Sequence, residues 1–503
     1  MSATSDKYEY NLGAVLHPSR WTYEQRIGGS VLLYSPDFIG MPILVSPDVY
    51  DLYIRFDGGV TVGQVLQEVQ ASRGGSFVPL LNGVSQLFER GFLRPEADPD
   101  RFPRHQCVPS KKAMSVWLHI TNYCNLACSY CFVHHSQSRM SDTTLAEAAA
   151  NIVATVEKYQ VEDVLVKFAG GEPTLACKQM EWFRDQLTAK LKPMGVKLHW
   201  TVLTNGTLVT DRFLGFVRSA GATVSISIDG YGPQHDLYRV YRNDKSKGSW
   251  DDILHNIDVL RANGTIPYIN IMVGPKTSAG LPDVADWVFG NGMIATIHVV
   301  RNVDDSWELI DDRRAEQYQA YCDQLQTDFE CMFRRLESPR YRMSLPRWME
   351  IAELHFESPT QGICCGIGAD HIVITHEGRV ASCPMTVNDE TVPVRDGDLF
   401  AATSRTFDPR PGEAQDECLE CQWYGVCASA CPVANQRIKG HAYRRSPLCA
   451  FWQYVIPRYA CFYGRKLSQL TAEPELTGVL VGDGPTLQQG HLPNLSDTKV
   501  IGQ

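Results

Sequence analysis

The sequence lacks what would tie it to a membrane or to nucleic acid. It holds no apolar run long enough to span a bilayer. Its first residues, MSATSDKYEYNLG, are polar and carry none of the apolar core of a secretory signal. Basic residues are in deficit, 47 Lys and Arg against 57 Asp and Glu. The net charge of -10 leaves no positive field to hold phosphates, which excludes a nucleic-acid partner. Together these absences imply no membrane and a cytoplasmic, reducing location. Sixteen cysteines are therefore not expected to form disulfides. Metal ligation or catalysis is the better use for them. The remaining composition, 44% hydrophobic and 21% charged, is that of a soluble globular protein, and 503 residues divide into two to four domains.

Residues 1–95 read as a small module. SVLLYS and MPILVS are strand candidates, and PDVYDLYIRF, TVGQVLQEVQ and VPLLNGVSQLFERGFL have helical spacing of apolar residues. Residues 96–112 are proline-rich and charged, as an exposed linker would be. From 113 to 303 the pattern becomes α/β. The strand candidates SVWLHIT, DVLVKFA, LHWTVLT, TVSISID, YINIMV and TIHVV alternate with helix candidates, six units in all. Six parallel units fall short of the eight of a closed barrel, so an open, partial (β/α)6 barrel is expected. Residues 304–362 read as a helical connection. Residues 363–465 are cysteine-rich with little periodicity, a loop-rich region for metal to hold together. Residues 466–503 read as a flexible tail.

The segment TNYCNLACSYCFVHH, from Thr121, follows the first strand of the α/β region. Cys124, Cys128 and Cys131 can surround one metal centre but cannot fill four tetrahedral positions. Zinc is the competing assignment, yet zinc normally takes four protein ligands in paired CxxC spacing. Three thiolates can instead hold three irons of a [4Fe-4S] cluster and leave the fourth open to a small molecule. CNLACSYC resembles the signature of radical S-adenosylmethionine (SAM) enzymes. The resemblance implies that the methionyl amine and carboxylate chelate the open iron. It implies too that reductive cleavage of the sulfonium gives a 5'-deoxyadenosyl radical. It places Tyr130 near adenine. Gly170, Gly171 and Glu172, in AGGEPTL after the second strand, match the family's motif for the methionyl amine; the glycines would let the backbone approach a ligand and Glu172 would accept from an ammonium. LTNGTL follows the third strand and agrees. Ser227 matches the position that meets the ribose, with Asp229 beside it. Arg239 matches the residue that pairs with the methionyl carboxylate in sulfatase-maturase-like members.

Seven further cysteines follow. Cys365 and Cys383 flank CGIGADHIVITHEGRVASC, and Cys418, Cys421, Cys427 and Cys431 lie in CLECQWYGVCASAC ahead of Cys449. The set resembles the SPASM domain, which carries two auxiliary [4Fe-4S] clusters. By that resemblance Cys418, Cys421, Cys427 and Cys449 hold the distal cluster, and Cys365, Cys383 and Cys431 the nearer one. A fourth cysteine found in some members is replaced here by Pro359. Cys364 or an open iron remains for that position. Cys107, Cys177, Cys322, Cys331 and Cys461 have no pattern and read as small buried apolar residues.

Sulfatase maturases resemble the chain, but many carry an aspartate base directly after the cysteine that corresponds to Cys383, where this chain has Pro384 and Met385. The segment from GVTVGQVLQEV to FLRP resembles a PqqD-like, winged-helix-like element that captures a leader peptide by strand addition. The expected function is thus maturation of a ribosomally made precursor peptide with a leader. The product would be a carbon–carbon or thioether cross-link or a related rearrangement. A reducing donor such as flavodoxin or ferredoxin would supply the electron. Formylglycine generation, a protein-cofactor maturase and a non-catalytic iron–sulfur electron carrier are the alternatives.

Overall fold

The structure, a computed structural model, describes residues 11–471 except 36–40, 75–76, 96–110, 304–308, 342–348, 355, 357–364, 366, 369–370, 390, 408–415 and 443. The expected linker and tail thus lie largely outside the described residues, as do Cys107, Pro359 and Cys364. Among the described residues no helix is long and apolar enough to cross a membrane.

The first module pairs β1 (His17–Pro18) with β5 (Leu93–Arg94) at its base. Between them, β2 (Tyr23–Ile27), β3 (Ser30–Tyr34) and β4 (Ile43–Val45) form an antiparallel sheet. The helices are α1 (Pro47–Tyr53), α2 (Val62–Arg73) and α3 (Phe77–Glu89). A capping box between Thr61 and Gln64 starts α2. The sequence pattern misses β2, because YEQRI exposes its three central residues and offers only Tyr23 and Ile27 as apolar signals. Alternation along β3 divides its side chains between two cores. Val31 and Leu33 join the module's own core, with Leu52, Leu66 and Val84. Leu32 and Tyr34, with Ile27, belong to the core of the rest of the protein.

Six parallel strands follow in chain order: β6 (Ala113–Thr121), β7 (Asp163–Gly170), β8 (Lys197–Thr204), β9 (Thr223–Ile228), β10 (Tyr268–Val273) and β11 (Ala295–Val299). The helices between them are α4 (Asp142–Tyr159), α5 (Cys177–Leu191), α6 (Asp211–Ala220), α7 (Trp250–Ala262) and α8 (Leu281–Gly290). One face of each strand is apolar and packs under the helices: Val116 and Leu118, Val164 and Val166, Val224 and Ile226, Ile269 and Ile271. The opposite face is more polar, with Trp117, His119, Ser225, Ser227 and Asn270. The six strands are those the sequence indicates.

Three more strands extend this sheet to nine. After α9 (Asp312–Leu336), β12 (Met349–Ile351) adds in parallel to β11. At the other edge β13 (His371–Ile374) runs parallel to β6, and β14 (Val380–Ala381) pairs back on it. The cysteine-rich region is therefore grafted onto the barrel wall. It continues through α10 (Leu399–Ser404), α11 (Asp416–Leu419), α12 (Tyr424–Cys427) and α13 (Pro432–Lys439). It ends in α14 (Cys449–Thr471). This 23-residue helix departs from the expected loop-rich region. Its segment CAFWQYVIPRYACFY is apolar on most sides and carries Pro457, so no clean period shows in the sequence. It packs on α9, with Phe451 on Phe329 at 4.9 Å and Phe462 on Phe333 at 5.2 Å between ring centroids.

Candidate active site

The strand C-termini build the site around the loop that leaves β6. Two glycines brace it. Gly171 N–H donates to Thr121 O (2.7 Å), and Glu172 N–H to Tyr123 O (2.9 Å). A Cβ at Gly170, whose φ is +129, would stand 2.3 Å from Thr121 O, and one at Gly171 would stand 2.3 Å from Tyr123 O. Glycine is required at both positions because the cysteine loop already fills that space. From the other side Arg242 donates to Cys124 O and Leu126 O, both at 2.9 Å. Ala127 N–H donates to Val240 O, also at 2.9 Å. Arg242 is not legible in the sequence, since its partners lie 116 and 118 residues away and are backbone atoms.

Glu172 is fully buried and gathers the ends of β7 and β8. Its Oε1 accepts from Thr174 N–H (3.0 Å), Thr174 Oγ1 (2.6 Å) and Thr204 Oγ1 (2.7 Å). Its Oε2 accepts from Asn205 N–H (2.7 Å), which leaves acceptor capacity on that oxygen. Burial raises its carboxyl pKa, opposed by these donors. Asn205 turns its Nδ2 toward Cys124 Sγ (3.7 Å) and Asn125 Oδ1 (2.8 Å).

Tyr130, Asp229 and Arg239 meet in a buried triad. Arg239 Nε donates to Asp229 Oδ1 at 2.6 Å, Arg239 Nη2 to Tyr130 Oη at 2.6 Å, and Tyr130 Oη to Asp229 Oδ1 at 2.9 Å. Asp229 Oδ2 is buried without a hydrogen-bond partner among the described residues. Burial works against the Arg239 charge, and Asp229, Tyr130 and Cys128 together outweigh it. His235, which no sequence motif marks, holds the arginine's backbone. Its Nδ1 accepts from Asp229 N–H (3.3 Å) and its Nε2 faces Ser249 Oγ (3.1 Å), which donates to Arg239 O (2.7 Å). Burial, and then Arg239, push the His235 pKa well below its usual value, so the ring is neutral. Asp236 is structural, because its Oδ1 accepts from Ser249 and Trp250 N–H at the start of α7. Ser227 lies half-buried on β9, in register with Asn270 of β10, outside the triad.

The described thiols fall into three neighbourhoods. Cys124, Cys128 and Cys131 lie in one another's electrostatic field, as do Cys383, Cys431 and Cys365. Cys427 is neighbour to Cys421, Cys449 and Cys418. Burial pushes the thiols of Cys124, Cys128, Cys383 and Cys427 up to about 12. Such groups become thiolates only when a cation takes the proton's place. Among the described residues no three cysteine, histidine or acidic side chains are placed to hold a single metal ion. Buried thiols in sets of three or four suit cluster ligation, in which the sulfurs stand farther apart than around one tetrahedral ion. Among the unpatterned cysteines, Cys177 and Cys322 are buried and Cys331 and Cys461 half-buried.

Comparison with known proteins agrees. Residues 118–288 match the radical SAM superfamily. A cysteine-type anaerobic sulfatase-maturating enzyme of Clostridium novyi (strain NT) is 23% identical over 329 residues, 61% of this chain and 84% of that protein. A serine-type anaerobic sulfatase-maturating enzyme of Klebsiella aerogenes is 24% identical over 341 residues, 64% of this chain and 81% of that protein. The structure of native anSMEcpe with bound AdoMet shares the fold, with a TM-score of 0.52 and 18% identity over 70% of this chain and 99% of that one. The match lies over residues 118–288, and the cofactors that go with it are a [4Fe-4S] cluster and S-adenosylmethionine.

Proposed function

We propose that this protein is a radical SAM maturase that modifies a peptide held at the barrel mouth between two clusters. One contact carries the reading. Asn388, in the loop after Cys383, donates to Phe132 O, next to Cys131, at 3.0 Å. The loops that carry the first and the nearer auxiliary thiol sets therefore lie side by side. When bound, the first cluster with S-adenosylmethionine supplies one-electron cleavage of the sulfonium and removal of a hydrogen atom from a substrate carbon. Cys124, Cys128 and Cys131 hold that cluster. Glu172 offers its Oε2 to the methionyl amine. Arg239, with Nε on Asp229 and Nη2 on Tyr130, presents Nη1 to the methionyl carboxylate, and Ser227 faces the ribose. Tyr130, tied to Asp229, walls the adenine side. Cys365, Cys383 and Cys431 hold the nearer auxiliary cluster, and Cys418, Cys421, Cys427 and Cys449 the distal one. A flavodoxin or ferredoxin delivers electrons.

The substrate is a ribosomally made precursor, and the product is a carbon–carbon or thioether cross-link or a related rearrangement. Support comes from the N-terminal module, whose three-stranded sheet and three helices suit strand addition by a leader peptide. Sulfatase maturation is the second reading, favoured by the curated relatives. Pro384 and Met385 stand against it, where the aspartate base would be. The reduced holoenzyme is incubated with S-adenosylmethionine and, separately, with the peptide encoded beside it or with a cysteine- or serine-type sulfatase peptide. Formation of 5'-deoxyadenosine with a cross-linked product supports the first reading. A hydrazide-reactive aldehyde on the sulfatase peptide replaces it with the second. Absence of 5'-deoxyadenosine under reduction overturns both.

A further inference from the structure

The nearer auxiliary set offers three described cysteines to a four-iron cluster. Just past β12, the fold places a carboxylate beside them. Glu353 is 3% exposed. Its Oε1 pairs with Arg301 Nη2, while its Oε2 is buried without a hydrogen-bond partner among the described residues. A buried carboxylate oxygen with no donor is costly, because it has lost its water and gained nothing in exchange. Arg301 also reaches the cluster side: its Nη1 lies 3.9 Å from Met385 Sδ. Met385 packs with Cys365, Cys383 and Cys431 around Ile367 and Val433. Arg301 and Glu353 both act on Cys431, with opposite signs. The pair thus stands beside the three thiols, with one carboxylate oxygen on the guanidinium and the other without a hydrogen-bond partner among the described residues.

We propose that Glu353 Oε2 is the fourth protein ligand of the cluster held by Cys365, Cys383 and Cys431. The inference rests on the auxiliary-cluster reading given above. A purely structural ion pair would leave the second oxygen unsatisfied. An anchor for incoming substrate would be expected at an accessible surface, and this carboxylate is walled in. A cluster fills the space from within. Arg301, on the other oxygen, then orients the ligating carboxylate, as hydrogen-bond partners of metal ligands commonly do.

The test uses the full chain with Cys124, Cys128 and Cys131 changed to alanine, so that only auxiliary clusters report. Anaerobic reconstitution should give about eight irons per chain, two four-iron clusters. About four irons would mean that the nearer cluster is absent, and would overturn the ligand assignment together with the reading beneath it. Cyanide, which binds an open cluster iron, is then the probe. The dithionite-reduced parent should give an electron paramagnetic resonance spectrum that cyanide leaves unchanged. Glu353→Ala should keep its iron, shift the nearer cluster's signal and acquire a cyanide-dependent spectrum. Glu353→Cys should retain full iron, give a shifted signal and stay inert to cyanide. A parent that itself responds to cyanide overturns the proposal, even if Glu353→Ala does not fold. So does a Glu353→Ala spectrum identical to the parent's with and without cyanide.

Discussion

The two cysteine regions reach similar ends by opposite means. In the barrel, three thiols sit in one loop of eight residues, Cys124 to Cys131, fixed by backbone bonds from β7, by Arg242 and by the glycines beneath it. In the cluster domain, seven thiols come from segments spread between residues 365 and 449. Its short helices α11 and α12 have four residues each, and three consecutive residues, Ala428, Ser429 and Ala430, hold positive φ. That conformation costs a non-glycine residue about 1 kcal/mol or more. The first region is a protein-built site that receives a cofactor. The second is a strained local backbone that a cofactor can secure.

The largest expected effect tests the first half of that contrast. Replacing Cys124, Cys128 and Cys131 together by alanine should abolish 5'-deoxyadenosine formation. The far-ultraviolet circular dichroism and the auxiliary iron should stay close to those of the parent. Loss of fold would show that the barrel loop also needs metal.

Cys427→Ala should act the other way, because metal binding contributes directly to folding where the polypeptide alone is marginal. Soluble yield and total iron should both fall severalfold. A soluble variant with full iron and full turnover would remove the contrast.

A smaller effect is expected at Glu172. Glu172→Gln puts an amide donor where four donors already converge, at a cost of about 1–3 kcal/mol. Measured by denaturant unfolding of the anaerobic protein, the loss should be accompanied by weaker S-adenosylmethionine binding. Unchanged stability would mean that the carboxylate does not knot β7 to β8.

The smallest effect is on pH dependence and belongs to the barrel. Burial lowers His119 and His298 to about 4 and His371 to about 3. Their unfolded-state values are about 6.5. Below that pH the unfolded chain binds more protons than the folded one. Stability is therefore full above about 6.5 and declines as the pH falls toward 4. Denaturant midpoints at pH 7 and pH 5 should differ, and His298→Gln should reduce the difference. An equal difference in that variant would place the acid sensitivity elsewhere.

How much of this is legible in the sequence depends on the range of the interaction. The barrel strands show because each buries one face, so Val116 and Leu118 alternate with Trp117 and His119. The thiols show because their spacing is local. Asn205 shows only as part of LTNGTL, and Arg242 and His235 do not show at all, because they act on atoms distant in sequence or on backbone groups that carry no side-chain signature. The glycines of AGGEPTL are visible, but the backbone they admit belongs to the cysteine loop, not to a ligand alone. α14 stays hidden because a helix apolar on most sides has no stripe to detect.

The sheet β2–β3–β4 has two owners. One face closes the N-terminal module, and the other, through Ile27, Leu32 and Tyr34, lies on the helix that begins at Cys449. At Gly464 that helix comes so close that a Cβ would stand 2.7 Å from Ile27 and Leu32. Tyr23 adds an Oη–Sγ contact of 3.3 Å to Cys461. Anyone wishing to exchange the module for another inherits this seam. A cut at residue 95 would strip an apolar helix face bare, so a working chimera needs the donor's α14 surface along with its sheet. The N-terminal sheet and the last helix of the cysteine-rich region therefore share one packed seam, and a change on either side must be matched on the other.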